Sequence, residues 1–455
     1  MKARRVLAIV AAGVALTAAT GSCATLPRPN RVEVAAAAGE ASVPAGGQLP
    51  AAKHSLQVRS VPAGVQIRLT DVSGRAWNGR TPAKRSLYEG PVTVELTRPG
   101  YNPVRREVDL VKNRYLTVWL DPAGLLLTSE RRWRTGPSPK QVAYTPDGSQ
   151  LWVTLLGGHG IQVFDAATGS QLEQIKLGTH GAVEVIFTAD GRRAFASQME
   201  TASVYEIDTR TYRVRRQIDG KGSWSKVLAL SPDERTLYLA NWVSDDISEI
   251  DLRSGTVRRL IPTVDTPRGL YPTPDGKRLY VAGYGHGEIA VIDLRTYRQT
   301  VLLRTGGAMR HLVGGSAGKT VYADDMAEAV VYAVDTTTDK VRRLAEVDRN
   351  PNTIDLSPDG RVLFVSCRGR NGSNYYLPGP EWGSVVLVDT HSGELLDAIV
   401  GGDQTTGLDV SADGARLAFS DFLGDMVRTY AIPDYGTLAA GHGGRVEEHY
   451  DDLRK

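Results

Sequence analysis

Apolar and polar positions alternate in short runs along nearly the whole chain after residue 54. Leu56 and Val58 form one run; Val65, Ile67 and Leu69 a second; Val92, Val94 and Leu96 a third; Leu116, Val118 and Leu120 a fourth. A period of two means strands with one buried face. Gly64, Gly74, Gly79, Gly90 and Gly100 separate these runs as turns. Further on, four-residue apolar runs recur at a fixed interval: Leu-Trp-Val-Thr at 151, Ala-Phe-Ala-Ser at 194, Leu-Tyr-Leu-Ala at 237 and Leu-Tyr-Val-Ala at 279. Val-Tyr-Ala-Asp at 321, Leu-Phe-Val-Ser at 363 and Leu-Ala-Phe-Ser at 417 complete the set. The pattern predicts an all-β protein.

The interval is the decisive feature, because self-similarity at a fixed period identifies repeat architectures. Turn triplets stand at Pro146-Asp147-Gly148, Ala189-Asp190-Gly191, Pro232-Asp233-Glu234 and Pro274-Asp275-Gly276. They continue at Ser316-Ala317-Gly318, Pro358-Asp359-Gly360 and Ala412-Asp413-Gly414, with third residues 43, 43, 42, 42, 42 and 54 apart. Seventeen positions after each third residue an aspartate ends the next strand, at Asp165, Asp208, Asp251, Asp293 and Asp335. In the sixth copy it is Asp389, 29 positions on, which places a 12-residue insertion there. A unit of this length with four short strands is a propeller blade, and seven copies predict a seven-bladed ring over 123–433. The seventh copy runs out near Ile432, so Leu125 to Trp133 is expected to supply its outermost strand and lock the ring.

Two resemblances follow from these residues. Ser60-Val61-Pro62-Ala63-Gly64, Gly79-Arg80-Thr81-Pro82, Gly90 and Pro99-Gly100-Tyr101 resemble a PEGA domain across 55–122, with Ala63-Gly64 where Gly-Ala is usual. That implies a small β-sandwich without catalytic function. Leu-Tyr-Leu-Ala-Asn at 237–241 and Leu-Tyr-Val-Ala-Gly at 279–283 resemble the YVTN-type repeats of YncE-like propellers over some 300 residues. That family includes binding proteins, scaffolds and relatives of lactonases, so function must be argued from the site.

The N-terminus reads as an address. Lys2, Arg4 and Arg5 precede an apolar run from Val6 to Ala19, the layout of a secretory signal peptide spanning 1–22. Thr20-Gly21-Ser22-Cys23 resembles a bacterial lipobox, with Thr20 where leucine is usual, and implies lipidation of Cys23. Ala24 resembles the outer-membrane sorting pattern. Residues 23–54 are rich in Ala, Pro and Gly; about 30 such residues reach roughly 30 Å and serve as a tether. Residues 434–455 are expected as a polar C-terminal tail. The expected location is the cell envelope, outer-membrane-anchored or periplasmic or extracellular, and the expected state a monomer.

Composition narrows the chemistry. The formal charge is +3, but three positives belong to the signal segment, so the mature chain is near neutral and global charge does not argue for nucleic acid. Two cysteines, Cys23 and Cys367, exclude a disulfide scaffold and a four-cysteine zinc site. Local charge is more informative. The position eight residues before the end of each turn triplet is Lys140, Val183, Lys226, Arg268, Arg310, Asn352 or Thr406. These positions lead into the innermost strands at one height around the channel mouth. Four cations converging there are costly unless something anionic answers them. The insertion at 368–382 belongs to the same face, and its Arg368, Arg370, Tyr375, Tyr376 and Trp382 have the composition of a ligand-facing lid. His311, His180, Trp224, Trp242 and Tyr284 are also expected near the mouth.

Two motifs mislead. Gly314-Gly315-Ser316-Ala317-Gly318 satisfies the nucleophile-elbow pattern, but that motif needs a strand-to-helix turn and these residues occupy a hairpin. Gly318-Lys319-Thr320 mimics the end of a P-loop with no helix behind it. Glu184, Asn241, Asp325, Asn352 and Asp421 form an alternative set of oxygen ligands for a hard cation, as a metal-dependent lactonase-like hydrolase or lyase would need; Arg268 and Arg310 oppose it. The reading reached is a non-catalytic binding or scaffold module without a cofactor. Its mouth takes an anionic glycan, peptidoglycan, nucleic acid or an envelope protein.

Overall fold

A computed structural model describes residues 52–315, 317–441 and 445–455. The signal segment, Cys23, the tether up to residue 51 and Ser316 lie outside the described residues. The chain divides into two compact units, the first ending at Leu125 and the second beginning at Leu126.

In the first unit, two sheets face each other. One has the strand order 83–88, 53–61, 114–119, and the other 76–80, 66–70, 90–97, 104–110. The alternation read from the sequence fills the space between them. Leu56, Val58, Ile67, Leu69, Val92, Val94, Leu96, Val118 and Leu120 are all buried, whereas Leu116 is only partly so. Polar neighbours such as Arg68 and Glu95 point the other way.

The second unit is a seven-bladed propeller of seven antiparallel four-stranded sheets. Its innermost strands are Pro139–Tyr144, Glu184–Phe187, Ser225–Leu230, Pro267–Pro272, Met309–Gly314, Pro351–Leu356 and Thr405–Val410. The last sheet is closed by Thr128–Arg134, which pairs antiparallel with Met426–Ala431. A chain segment from before the first blade thus completes the seventh and fastens the ring.

The repeated residues have identifiable work. Asp147, Asp190, Asp233, Asp275, Asp359 and Asp413 each accept a 2.6 Å hydrogen bond from a Ser or Thr hydroxyl two positions earlier, fixing the hairpin after the inner strand. In the fifth blade Ala317 stands in that place. Asp165, Asp208, Asp251, Asp293, Asp335 and Asp389 accept backbone N–H groups of the turn before the outermost strand. Apolar residues between blades pack as continuous layers. Ala229, Tyr238, Leu270, Leu279 and Val281 belong to one such layer, and each buried leucine or valine contributes about 2 kcal/mol.

The segment expected as a polar tail is instead folded. Tyr435–Ala440 and His449–Asp452 are short helices, and the second is tied to the sixth blade. His449 Nε2 lies 2.8 Å from Asp348 Oδ2, and Arg445 donates its backbone N–H to Asp397 at 3.0 Å. The backbone N–H of Trp382 donates to Leu453 O at 2.7 Å.

Candidate functional site

The seven positions singled out in the sequence occupy equivalent places at the start of the inner strands. In every blade but the second the pairing register between inner and second strands slips across this residue. Lys140, Arg268 and Asn352 are the unpaired residues of such bulges. A bulge turns its extra residue out of the ladder and re-aims the side chain. The residue two positions earlier adopts a left-handed backbone in five blades: Ser138, Trp224, Thr266, Asn350 and Gln404, with φ of 55°, 58°, 57°, 57° and 60°. None of these is glycine. Strained backbone repeated at one level of a ring is a device for presenting side chains.

The presented side chains are cationic and buried, Lys226 only partly so. Lys140, Arg268 and Arg310 are 7–8% exposed, and Arg368 is 1% exposed. Burial, and then the charges of Arg310, Arg268, Arg368 and Lys226, push the Lys140 ammonium well below the ordinary lysine range. Lys226 is pushed down in the same way, by burial and then by Arg268 and Arg310. Burial and Arg310 bring even the Arg268 guanidinium down to about 10. Each cation feels the others, so five of them converge. Among the described residues, no carboxylate oxygen comes within 4.0 Å of any of the five.

Their neighbours are neutral groups. Arg310 Nε donates to Asn352 O at 3.1 Å, and its Nη1 lies 3.3 Å from Met326 Sδ. The Lys226 ammonium sits 3.1 Å from the centre of the Trp242 ring. Arg368 donates to Gln404 Oε1 and stacks 3.9 Å over the Tyr375 ring, while its Nε and Nη1 are buried with no hydrogen-bond partner among the described residues. Two carboxyls face the ring without neutralising it. Burial pushes both Glu184 and Asp324 up to about 7, against the pull of Arg268 and Lys140 on the first and of Arg310 on the second. His311 lies 4.0 Å from Glu184, and burial with Arg268 and Arg310 holds its ring neutral, with a pKa of about 3.

Tyr375, at the tip of the sixth-blade insertion, reaches over the mouth. Its carbonyl accepts from Gln404 Nε2 at 2.7 Å, and its ring meets Phe422 edge-on at 5.6 Å. Tyr376 lies beside them, 5.1 Å from Tyr375, and is 38% exposed. The other two lid candidates are placed elsewhere. Arg370 is exposed, with its backbone N–H on Glu381, and Trp382 lies at the base of the insertion beside Leu453. His180 is likewise exposed.

The metal set does not assemble. Asn241, Asp325 and Asp421 end the second strands of their own blades and are engaged there. Asn241 donates to Asp246 and Ser248, Asp325 accepts from Thr305 and three backbone N–H groups, and Asp421 pairs with Arg428 at 2.8 Å. Asn352 donates to Thr406 O, and Glu184 accepts from Leu228 N. Among the described residues, no three His, Cys, Asp or Glu side chains stand together as metal ligands.

One series of residues escaped the sequence reading as a series. The residue just past each second strand is Leu156, Met199, Trp242, Tyr284, Met326, Arg368 or Phe422. Six of the seven are apolar or aromatic, and four of them touch or neighbour the cations. The signal is periodicity, taken one residue beyond each second strand.

Charge is distributed unevenly between the two units. Residues 52–125 hold 12 Lys and Arg against 6 Asp and Glu, whereas 126–455 hold 37 against 43. Residues 52–455 are thus a basic small domain followed by an acidic propeller, and the basic mouth belongs to the acidic part.

Comparison with known proteins agrees with this architecture. Residues 53–122 match the PEGA domain. A chain of Kuenenia stuttgartiensis hydrazine synthase superposes with a TM-score of 0.57 at 20% identity, covering 66% of this chain and 97% of that one, which shows the propeller fold alone. Antigen Lp49 of Leptospira interrogans (serogroup Icterohaemorrhagiae, serovar copenhageni) is 32% identical over 360 residues, covering 75% of this chain and 78% of the antigen. With its PEGA domain, its seven blades and this extent of identity, the chain belongs to the same family as antigen Lp49.

Proposed function

We propose that the propeller mouth is a receptor for an anionic ligand, in a non-catalytic binding protein of the cell envelope. The observation that carries this reading is the convergence of the buried Lys140, Arg268, Arg310 and Arg368 and the half-buried Lys226, with no carboxylate within 4.0 Å among the described residues. A buried charge without a partner is costly, and a cluster of them more so. A site that retains them is organised for a negative group arriving from outside. The relative's description as an antigen supports a place at the cell surface, as does the signal-like N-terminus with Cys23 as its lipid anchor. An acidic glycan, a peptidoglycan fragment and nucleic acid all offer anionic groups of the required sign.

The test is calorimetric titration of the full chain with acidic oligosaccharides, peptidoglycan fragments and single-stranded DNA at 20 and 200 mM salt. An Arg268→Gln/Arg310→Gln variant runs alongside. Binding that weakens with salt and disappears in the variant supports the reading. Equal binding by wild type and variant overturns it, and moves the search to other faces and to protein partners. Incorporation of a lipid label, lost in Cys23→Ala, tests the anchor separately.

A further inference from the structure

The cation ring does not stand alone. Immediately beside it lies a second tier, built from the residues that follow the second strands. Trp242 carries the Lys226 ammonium on its face at 3.1 Å. Tyr284 meets Trp242 edge-on at 5.8 Å, and its hydroxyl reaches Met326 Sδ at 3.8 Å. Met326 in turn touches Arg310. Phe422 lies 5.8 Å from the Arg368 guanidinium and packs on Tyr375. An apolar arc therefore runs through the third, fourth, fifth and seventh blades, each member resting on a ring cation or on the residue that covers one. Tyr375 closes over it from the insertion.

We propose that the ligand is an amphipathic anion: a carboxylate, sulfonate or phosphate head on Arg268, Arg310 and the unpartnered edge of Arg368, with an aromatic or acyl body along the partly exposed rings of Trp242 and Tyr284, which the buried Met326 backs. This rests on the anion-receptor reading and narrows it. A purely hydrophilic acid would satisfy the cations and leave the Trp242 and Tyr284 rings wet. A neutral apolar molecule would cover those rings and leave the cations unanswered. Ligand sites generally combine an apolar lining with a few placed polar groups, and the two tiers meet that description only for a molecule with both parts. The arrangement also explains why the inner cations rest against rings and a thioether rather than carboxylates. Aromatic faces and sulfur hold a cation in place without neutralising it, so the charge remains for the ligand.

The experiment uses four probes on the full chain: 2-naphthoate, acetate, inorganic phosphate and the neutral 2-naphthylmethanol, each measured by calorimetry at low salt. The expected result is 2-naphthoate binding at least 30-fold tighter than acetate and at least tenfold tighter than 2-naphthylmethanol. Trp242→Ala is expected to weaken 2-naphthoate about tenfold and to change phosphate binding less than twofold. Trp242→Phe, which keeps an aromatic face, is expected to stay within threefold of wild type, and its unchanged melting curve controls for folding. If acetate or phosphate binds as tightly as 2-naphthoate, the amphipathic proposal is overturned while the anion receptor stands. If 2-naphthylmethanol matches 2-naphthoate, the head-group contacts are overturned. If none of the anions binds, the receptor reading fails and the proposal with it.

Discussion

The PEGA domain and the propeller use positive charge in opposite ways. In the PEGA domain cations outnumber acids by two to one, yet they lie on the surface. Lys53 stacks on Tyr88, Arg85 on Trp77 and Arg98 on Tyr101, and Arg80 Nη1 donates to Gly64 O at 3.0 Å. Water screens such charges, and each is worth little. In the propeller acids outnumber cations, yet five cations gather at one mouth, four of them buried. Net charge and site charge are therefore different quantities. The first sets long-range attraction to anionic surfaces, whereas the second, in a low-dielectric funnel, sets where an anion is held.

The propeller itself supplies a further contrast. Asp355 and Asp409 are half-buried on inner strands, and desolvation raises both pKa values. Their oxygens, however, are engaged: Asp355 accepts from Val410 N and Asp409 from Tyr144 N, each at 2.7 Å across a blade boundary. These carboxyls stitch neighbouring inner strands. Among the described residues, the mouth cations have no equivalent carboxylate partner.

The largest effect that would break this comparison is in the mouth. Arg268→Gln/Arg310→Gln should lower affinity for an anion by more than a hundredfold in calorimetry, while Arg68→Gln/Arg105→Gln in the PEGA domain should change it less than twofold. Equal losses would mean that surface charge does the binding. Next comes pH. Glu184 and Asp324 titrate near 7, so lowering the pH from 8 to 6 protonates both and removes two negative charges facing the ring. Both protonations act in one direction, and affinity for a strong acid should rise roughly tenfold. In Glu184→Gln the rise should be smaller and the affinity at pH 8 higher. Affinity that falls on acidification would contradict the assignment. Stability should respond oppositely to affinity: Arg268→Met removes a buried like charge and should stabilise the fold by about 1 kcal/mol in denaturant titration. The smallest effect concerns Cys367, whose thiol is fully buried and pushed well above its ordinary range. It should resist alkylation in the native protein at neutral pH and react only on unfolding.

Much of the fold was legible because propeller blades repeat. The Asp-Gly turns and third-strand aspartates make the same local hydrogen bonds in nearly every blade, so their spacing carries the architecture directly. The same register led to Lys140, Lys226, Arg268 and Arg310. Arg368 was placed on a lid, but it stands at the ring because it directly follows a second strand, before the insertion departs. Arg370 is exposed and Trp382 sits at the base of the insertion. Composition marks a loop as ligand-like without saying which of its residues turn inward. The metal alternative failed because Asn241, Asp325 and Asp421 are used up by hydrogen bonds inside their own blades, which spacing does not reveal. The apolar arc was half visible in Trp242 and Tyr284. Met326 and Phe422 joined it only when the ends of the second strands were known.

The most direct test is the position of a bound probe. Crystals soaked in 6-bromo-2-naphthoate should show the bromine anomalous peak beside Trp242 and Tyr284, with carboxylate density between Arg268 and Arg310. A bromine peak outside the mouth, with no anionic density on the five cations at saturating probe, would contradict the account.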